Sequence, residues 1–261
     1  MRPNIENFIG CDSSYRAASI VLYGAPYDST TSYRPGARFG PAAIRHESYG
    51  LETYSPYQNA DLTDFDIFDS GDLELCFGSS ESALADIQSR AAEILHDGKF
   101  PLLLGGEHLV TLGAVRAVAQ KYPGLHIIHF DAHADLRDDY LGAKLSHACV
   151  LRRCHEIVGD GHIHQFCIRS GERAEFEFAA QHTGKKLYLF GCTDDYAAMI
   201  IRRKAELPEY IAPGPAADLY TTEQKKAEFY EVCDKFGIPY PTTKVLTAPV
   251  EASELSAAKL G

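Results

Sequence analysis

An apolar run leads directly into acidic and imidazole side chains in the segment Leu125-His126-Ile127-Ile128-His129-Phe130-Asp131-Ala132-His133-Ala134-Asp135. The apolar part, residues 125–130, predicts a buried β-strand. In open α/β sheets, ligands bind just beyond the carboxyl ends of the strands, which is where the polar part begins. If the backbone stays extended there, side chains alternate between two faces, and Asp131, His133 and Asp135 point to one side. The segment therefore predicts a ligand site at the tip of a central strand.

Predicted strands and helices alternate along the rest of the chain. Further apolar runs bounded by turn residues predict strands at Ser19–Tyr23, Phe100–Leu104, His164–Ile168 and Lys186–Phe190. The clearest helix is Glu81–His96, whose apolar residues recur at helical spacing: Leu84, Ile87, Ala91, Ile94 and Leu95. This alternation predicts an α/β fold of three layers (αβα), in which helices cover both faces of a mainly parallel sheet.

The side chains at the strand tip form a donor set suited to a divalent metal ion. Asp131 and Asp135 supply carboxylate oxygens, and His133 supplies an imidazole nitrogen. Buried acids are costly unless they bind something. Mixed oxygen and nitrogen ligands suit Mn²⁺, Fe²⁺ or Zn²⁺, and the carboxylate majority favours Mn²⁺. Because one carboxylate can bridge two ions, the set also allows a two-metal site.

Two other histidines are predicted to approach the same end of the sheet. His108 follows an apolar strand and the turn Gly105-Gly106-Glu107, so a neighbouring parallel strand would bring it beside Asp131. His147, in Ser146-His147-Ala148, lies on a loop or at the start of a helix, where an imidazole is suited to proton transfer near neutral pH. A surface or core role for His147 stays open.

The histidines inside the predicted strands have structural interpretations. His126 and His129 lie within the strand that precedes Asp131, and both are interpreted as core or packing residues. His162 and His164 alternate across another strand, as a half-exposed face of a sheet would require.

Composition restricts the function classes. The 261 residues carry 25 Lys and Arg against 36 Asp and Glu, a net charge of −11 that disfavours nucleic acid and suits a small cationic ligand. The sequence has no apolar run of the roughly 18 residues that a membrane helix needs, and Met1–Gly10 lacks the apolar core of a signal peptide. The seven Cys are scattered without a CxxC pair. We therefore expect a soluble, cytoplasmic protein with reduced thiols.

Histidine content changes along the chain. All 11 His lie in residues 1–182, together with 15 basic and 25 acidic residues, a net charge of −10. Residues 183–261 have no His, and their 10 basic and 11 acidic residues give −1. We predict two regions, 1–182 and 183–261. The alternative is that residues 183–261 complete a single α/β fold.

Four motifs carry a family resemblance. They are Thr31-Ser32-Tyr33-Arg34-Pro35-Gly36-Ala37-Arg38-Phe39-Gly40-Pro41, Gly105-Gly106-Glu107-His108, Asp131-Ala132-His133-Ala134-Asp135 and Ser146-His147-Ala148. Together they resemble the ureohydrolases, the family of arginase and agmatinase, over about residues 15–182. The segment Leu136–His147 is more similar to bacterial agmatinases than to arginases. The resemblance implies an arginase-like fold.

The resemblance also implies a reaction. In this family a hydroxide that bridges two Mn²⁺ ions attacks a guanidinium carbon and releases urea. By resemblance, one ion is held by His108, Asp131 and Asp135, and the other by Asp131 and His133. Asp131, shared by both ions, and His147, which transfers protons, are the implied catalytic residues. The implied reaction is the hydrolysis of agmatine to putrescine and urea, a step in polyamine biosynthesis, by a homo-oligomer such as a trimer or hexamer.

The sequence departs from the family pattern after residue 182. The family's later Ser-x-Asp-x-Asp motif, which supplies two further carboxylate ligands, and its downstream Glu are not found. The paired acids Asp194 and Asp195 are adjacent, and adjacent side chains of an extended chain point to opposite faces. We therefore expect an incomplete family domain with weakly held metals. The alternative function is a noncatalytic metal-binding or assembly subunit.

Residues 184–261 resemble a different family. The segments Lys186–Tyr196 and Lys225–Val245 are similar to the N-terminal part of ATP-grasp enzymes, which implies a small α/β segment. The nucleotide-binding residues of that family would lie beyond Gly261, so we expect no ATP binding. A fragment of an ATP-dependent ligase is a further alternative.

Overall fold

We describe the protein from a computed structural model, which places residues 1, 4, 6–182, 187–188 and 210–211. The chain divides into two compact units, Met1–Leu187 and Tyr188–Gly261. The predicted boundary between residues 182 and 183 stays a prediction. Asp194, Asp195 and nearly all of the region predicted to resemble ATP-grasp enzymes lie outside the described residues.

Strands and helices alternate as expected from the sequence. The strands are β1 Ile20–Ala25, β2 Tyr54–Ser55, β3 Ala60–Asp61, β4 Ile67–Asp72, β5 Phe100–Gly105, β6 Ile127–Phe130, β7 Ile163–Phe166, β8 Leu187–Tyr188 and β9 Tyr210–Ile211. The α-helices are α1 Gly40–Ser48, α2 Ser80–His96, α3 Val110–Lys121, α4 Val150–Val158 and α5 Arg173–His182. Short 3₁₀ turns occupy Ala37–Phe39, Leu62–Asp64 and His147–Cys149.

The long strands pair in parallel. β1 lies between β4 and β5, with Ile20 opposite Ile67 on one side and Phe100 on the other. β6 pairs in parallel with β7, and the short pair β2 and β3 is antiparallel. β1 is almost fully buried, since Val21, Tyr23 and Ala25 have no exposed surface. These pairings confirm the predicted α/β class with a mainly parallel sheet.

Helix α2 shows how local sequence sets the packing. Its N-cap is Ser79, whose hydroxyl accepts a hydrogen bond from the Ser82 backbone at 3.2 Å. All the apolar residues predicted for the inner face are buried: Leu84, Ile87, Ala91, Ile94 and Leu95. This face packs on α3 at Gly113, where a Cβ atom would lie 2.8 Å from Cβ of Ile87. Glycine there lets the two helices approach closely.

The structure differs from the sequence prediction at some strand ends. β7 ends at Phe166 rather than Ile168, because Cys167 has a φ of 68°, which an extended strand cannot continue. Of the predicted strand Lys186–Phe190, only Leu187–Tyr188 is described. Among the described residues, no helix combines the length and the apolar character needed to cross a bilayer.

Candidate metal centre

His108 is positioned by a tight turn at the end of β5. The backbone N–H groups of Gly106 and Glu107 donate to the carbonyls of Ala25 at 2.9 Å and Tyr27 at 2.7 Å. A Cβ atom on Gly106 would lie 2.0 Å from the Tyr27 carbonyl oxygen, so the turn needs glycine at this position. The turn is thus fixed against the chain leaving β1, and it presents His108 at the mouth of the sheet.

The loop after β6 bends instead of staying extended. The Asp131 carboxylate accepts a hydrogen bond from the His133 backbone at 2.8 Å, and Asp135 has a φ of 50°. The expectation that Asp131, His133 and Asp135 point to one side of an extended chain is therefore wrong, because this side-chain to backbone bond turns the chain. The bend nevertheless brings both carboxylates to His108, whose Nδ1 lies 2.6 Å from Asp135 Oδ2 and 3.9 Å from Asp131 Oδ2.

His129 joins this group, although its sequence context indicated only packing. Its ring is buried and stacks on that of His108, with ring centroids 5.1 Å apart. Its Nδ1 lies 3.0 Å from the Gln165 amide, and its buried Nε2 lies 3.5 Å from Asp131 Oδ2 without a hydrogen-bond partner among the described residues. The sequence spacing could have predicted this position. His129 lies in β6 and Asp131 directly follows it, and side chains two residues apart on an extended chain point to the same face.

Four side chains can therefore converge on one ion. Donor atoms from His108, His129, Asp131 and Asp135 all lie within 4.8 Å of one another. His133 is not part of this group, and its side chain is 66% exposed. Its Nδ1 lies 3.4 Å from Asp131 Oδ1, whereas the histidines of the group face Oδ2. Asp131 thus faces His133 with one carboxylate oxygen and the two other histidines with the other. We call the group of His108, His129, Asp131 and Asp135 the strand-end cluster.

The electrostatics of the cluster favour a charged Asp131 carboxylate and a neutral His129 imidazole. Burial by itself raises the pKa of Asp131, but the His133 backbone N–H and the imidazoles of His129 and His108 together hold it below its ordinary value. Burial lowers the pKa of His129, and neighbouring His108 lowers it further. An ionised carboxylate and unprotonated imidazole are the forms in which these side chains bind metals.

Two buried carboxylates, those of Glu107 and Glu175, accept hydrogen bonds from the chain segments next to the cluster. Glu107 accepts hydrogen bonds from the Leu109 backbone at 2.7 Å and the Thr30 hydroxyl at 2.6 Å, and that hydroxyl accepts one from the His147 backbone at 3.0 Å. Glu175 of α5 accepts a hydrogen bond from the backbone of Leu136, the residue after Asp135, at 2.9 Å. These bonds fix the backbone on which the donors stand.

The cluster opens into a cavity of about 650 Å³. His108, Asp131, His133, Asp135 and His147 all line it. The structure thus places all the predicted site residues around one cavity. The edge of His147 meets the Tyr140 ring, with centroids 5.6 Å apart.

The donor chemistry fits a divalent transition metal. Two carboxylates and two imidazoles match the oxygen and nitrogen ligands that Mn²⁺ or Zn²⁺ prefers. The partnerless, buried Nε2 of His129 points to the same conclusion, since such an atom is costly unless it has a ligand. Asp131 Oδ1 and His133 supply two donors toward a second ion.

The chain is similar to several agmatinases. It is 49% identical over 175 residues to agmatinase of Bacillus subtilis, covering 67% of this chain and 60% of that protein. It is 48% identical over 183 residues to agmatinase of Bacillus anthracis, covering 70% of this chain and 63% of that protein. The match thus spans less than two thirds of the length of these two relatives.

The fold of the chain is also similar to solved structures of related enzymes. Agmatine ureohydrolase of Thermoplasma volcanium is 27% identical with a TM-score of 0.63, over 89% of this chain and 93% of that one. Proclavaminate amidino hydrolase of Streptomyces clavuligerus is 29% identical with a TM-score of 0.64, over 78% and 69%. These likenesses confirm that the α/β fold is arginase-like.

The predicted resemblance of residues 184–261 to ATP-grasp enzymes gains no support. The model of the arginase family matches residues 18–206 and so runs through Lys186–Tyr196, one of the two segments on which that resemblance was based. This match spans well over half of the chain, and the chain belongs to the arginase family.

Proposed function

We propose that this site hydrolyses agmatine to putrescine and urea with Mn²⁺ as its cofactor. The observation that carries the proposal is the convergence of His108, Asp131 and Asp135, with the buried His129 behind them, at a cavity that His147 also lines. The agmatinases among the relatives support the choice of substrate.

The metal ligands proposed are three residues of the strand-end cluster and the neighbouring His133. His108, Asp131 and Asp135 would hold one ion, and Asp131 with His133 would contribute to the other. Two bound Mn²⁺ ions would lower the pKa of a shared water, so that hydroxide is available at neutral pH. The buried Nε2 of His129, 3.5 Å from Asp131 Oδ2, is a further donor beside the first ion.

Other residues of the cavity suit a guanidinium substrate. Its lining carries five carboxylates against the guanidinium groups of Arg34 and Arg137, and this acidic excess attracts a cation. His147 shares the cavity, and its Nδ1 lies 3.3 Å from the Ser146 hydroxyl. We assign His147 the transfer of a proton from its ring nitrogen to the amine nitrogen that leaves as putrescine.

A second candidate function is metal binding without turnover, as in an assembly subunit. It is favoured by one observation, the lack of a Ser-x-Asp-x-Asp motif in this sequence. With fewer carboxylate ligands, the second ion would be held more weakly than the first. In both proposals the protein is cytoplasmic and forms homo-oligomers, in line with the family resemblance.

Urea release in the presence of Mn²⁺ and agmatine separates the two functions. We expect the full chain to release urea, His147→Ala to lower the rate by about 10²- to 10⁴-fold, and Asp131→Ala to abolish the reaction. His126→Ala is the matched control, because His126 lies on the same chain segment but outside the cluster.

The opposite results are equally informative. If Mn²⁺ raises the melting temperature of the full chain but no urea is released, the noncatalytic function is supported. If neither stabilisation nor urea is found, both proposals are wrong.

A further inference from the structure

A second group of potential ligands lies outside the cavity, where α4 and α5 end. His155 Nε2 lies 2.7 Å from Asp160 Oδ1, and His182 Nδ1 lies 3.2 Å from the same oxygen. Donor atoms of the three side chains lie within 4.8 Å of one another. We call this group the helix-end cluster. It shares no residue with the strand-end cluster.

The rings of the helix-end cluster are held in place by an aromatic neighbour. Phe178, one turn before His182 on α5, packs against the His182 ring at 4.3 Å and meets the His155 ring edge-on at 4.9 Å. The His155 side chain is 14% exposed, whereas that of Asp160 is 66% exposed. The imidazoles are thus oriented by packing, and the carboxylate side remains open to solvent and to an entering ion.

We propose that His155, Asp160 and His182 form a second metal site that takes a single borderline divalent cation such as Zn²⁺. Two imidazoles and one carboxylate are three of the four ligands of a tetrahedral Zn²⁺ site, and water supplies the fourth. Imidazole suits Zn²⁺, so the nitrogen majority of the helix-end cluster favours Zn²⁺ over Mn²⁺.

The distances favour this assignment. In a tetrahedral site with bonds of about 2.0 Å, donor atoms lie about 3.3 Å apart. The 3.2 Å between His182 and Asp160 already matches, whereas the 2.7 Å between His155 and Asp160 would lengthen when an ion enters. His46 and Glu6 form a simple His–carboxylate pair at 3.1 Å, and no described third donor joins them in a group. The helix-end cluster differs from that pair by its second imidazole, which supplies the third donor.

The ion would fasten the end of α5 to the loop after α4. A backbone bond from Gly161 to the His182 carbonyl, at 3.1 Å, already joins the two segments. The same helix carries Glu175, which supports the backbone beside Asp135. Zn²⁺ at the helix-end cluster is therefore expected to stabilise the wall of the cavity without entering it.

Zinc stoichiometry after equilibrium dialysis tests the site. The full chain is compared with Asp160→Asn, His182→Ala and the control His46→Ala, with Zn²⁺ alone as the probe and circular dichroism as the check on folding. We expect Asp160→Asn and His182→Ala each to bind about one Zn²⁺ fewer than the full chain. His46→Ala is expected to bind as much as the full chain.

Asp131→Ala separates the two clusters. This variant is expected to lose metal at the strand-end cluster and to keep the ion that His182→Ala loses. Because Asp160 is exposed and Asn has nearly its size, Asp160→Asn reports on the site even if His182→Ala fails to fold. Equal zinc binding by the full chain and a folded Asp160→Asn variant would overturn the proposal.

Discussion

The two clusters position their ligands by different means. In the strand-end cluster, backbone turns do the positioning: Gly106 and Glu107 bond to the chain leaving β1, and the His133 N–H bonds to Asp131. In the helix-end cluster, His155 and His182 come from two helices, and the Phe178 ring orients them. The comparison indicates that strand ends fix metal ligands through the main chain, whereas helix ends rely on side-chain packing.

Gly106→Ala is expected to have the largest effect. The new Cβ atom would overlap the Tyr27 carbonyl, and the turn that carries His108 would have to move. We expect a loss of about 3 kcal/mol in the free energy of unfolding, measured by urea denaturation. Gly78→Ala is the control, since a Cβ atom at that position would have no neighbouring atom within 4 Å. Similar losses in both variants would show that backbone approach does not position His108.

His129→Ala tests whether the buried imidazole belongs to the strand-end cluster. Removing Nε2 takes away the neighbour of Asp131 Oδ2, so we expect Mn²⁺ affinity to fall about 10- to 100-fold in isothermal titration. His126→Ala is the matched control, because the ring of His126 stacks on His162 and stands apart from the cluster. Equal Mn²⁺ affinities of the two variants would show that His129 only packs in the core and does not contribute to the metal site.

Glu175→Gln tests the hydrogen bond that Glu175 accepts from the backbone next to Asp135. The carboxylate accepts backbone hydrogen bonds from Leu136 and Glu172, and an amide can accept at only one of its two positions. We expect Mn²⁺ affinity to fall about tenfold. Glu177→Gln, at an exposed position of the same helix, is expected to leave the affinity unchanged. An unchanged affinity in Glu175→Gln would show that the cluster does not depend on this support.

The smallest expected effect is a pH dependence from the loop that carries the first family motif. The Arg38 guanidinium and backbone N–H groups of Gly36 and Arg38 hold the pKa of buried Asp28 below its ordinary value. A carboxyl with a lower pKa in the folded protein stabilises it above the unfolded pKa, about 3.9, and this stabilisation is lost as the pH falls. The melting temperature of Asp28→Asn should therefore lie below that of the full chain near neutral pH.

This difference should shrink as the pH falls below about 4, because Asp28 is protonated first in the unfolded chain, and it should disappear once the pH is below the lower pKa of Asp28 in the folded protein. Asp86→Asn, at an exposed position of α2, serves as the control. A constant difference between Asp28→Asn and the full chain from neutral to acidic pH would contradict the assignment.

Much of the fold was predictable because short-range patterns determine it. The apolar run before Asp131 gave β6, and the spacing of Leu84, Ile87 and Ala91 gave α2. The convergence of His108 with Asp131 was predicted from the rule that ligands collect at the carboxyl ends of parallel strands, although β5 and β6 belong to separate sheets of the described structure.

The remaining features depend on tertiary structure. The bend after β6 includes a hydrogen bond from the His133 backbone to the Asp131 side chain and a positive φ at Asp135, and strand periodicity encodes neither. His129 is held by Gln165 of β7, 36 residues away. The helix-end cluster requires α4 and α5 to end side by side, and residue spacing alone does not determine that.

The central claim is that the strand-end cluster binds a divalent ion through Asp131. Titration of Mn²⁺ into the full chain and into Asp131→Ala, with free Mn²⁺ measured by electron paramagnetic resonance, tests it most directly. The account predicts saturable Mn²⁺ binding by the full chain that Asp131→Ala loses. Equal Mn²⁺ binding by the two folded proteins, or none by either, would contradict it.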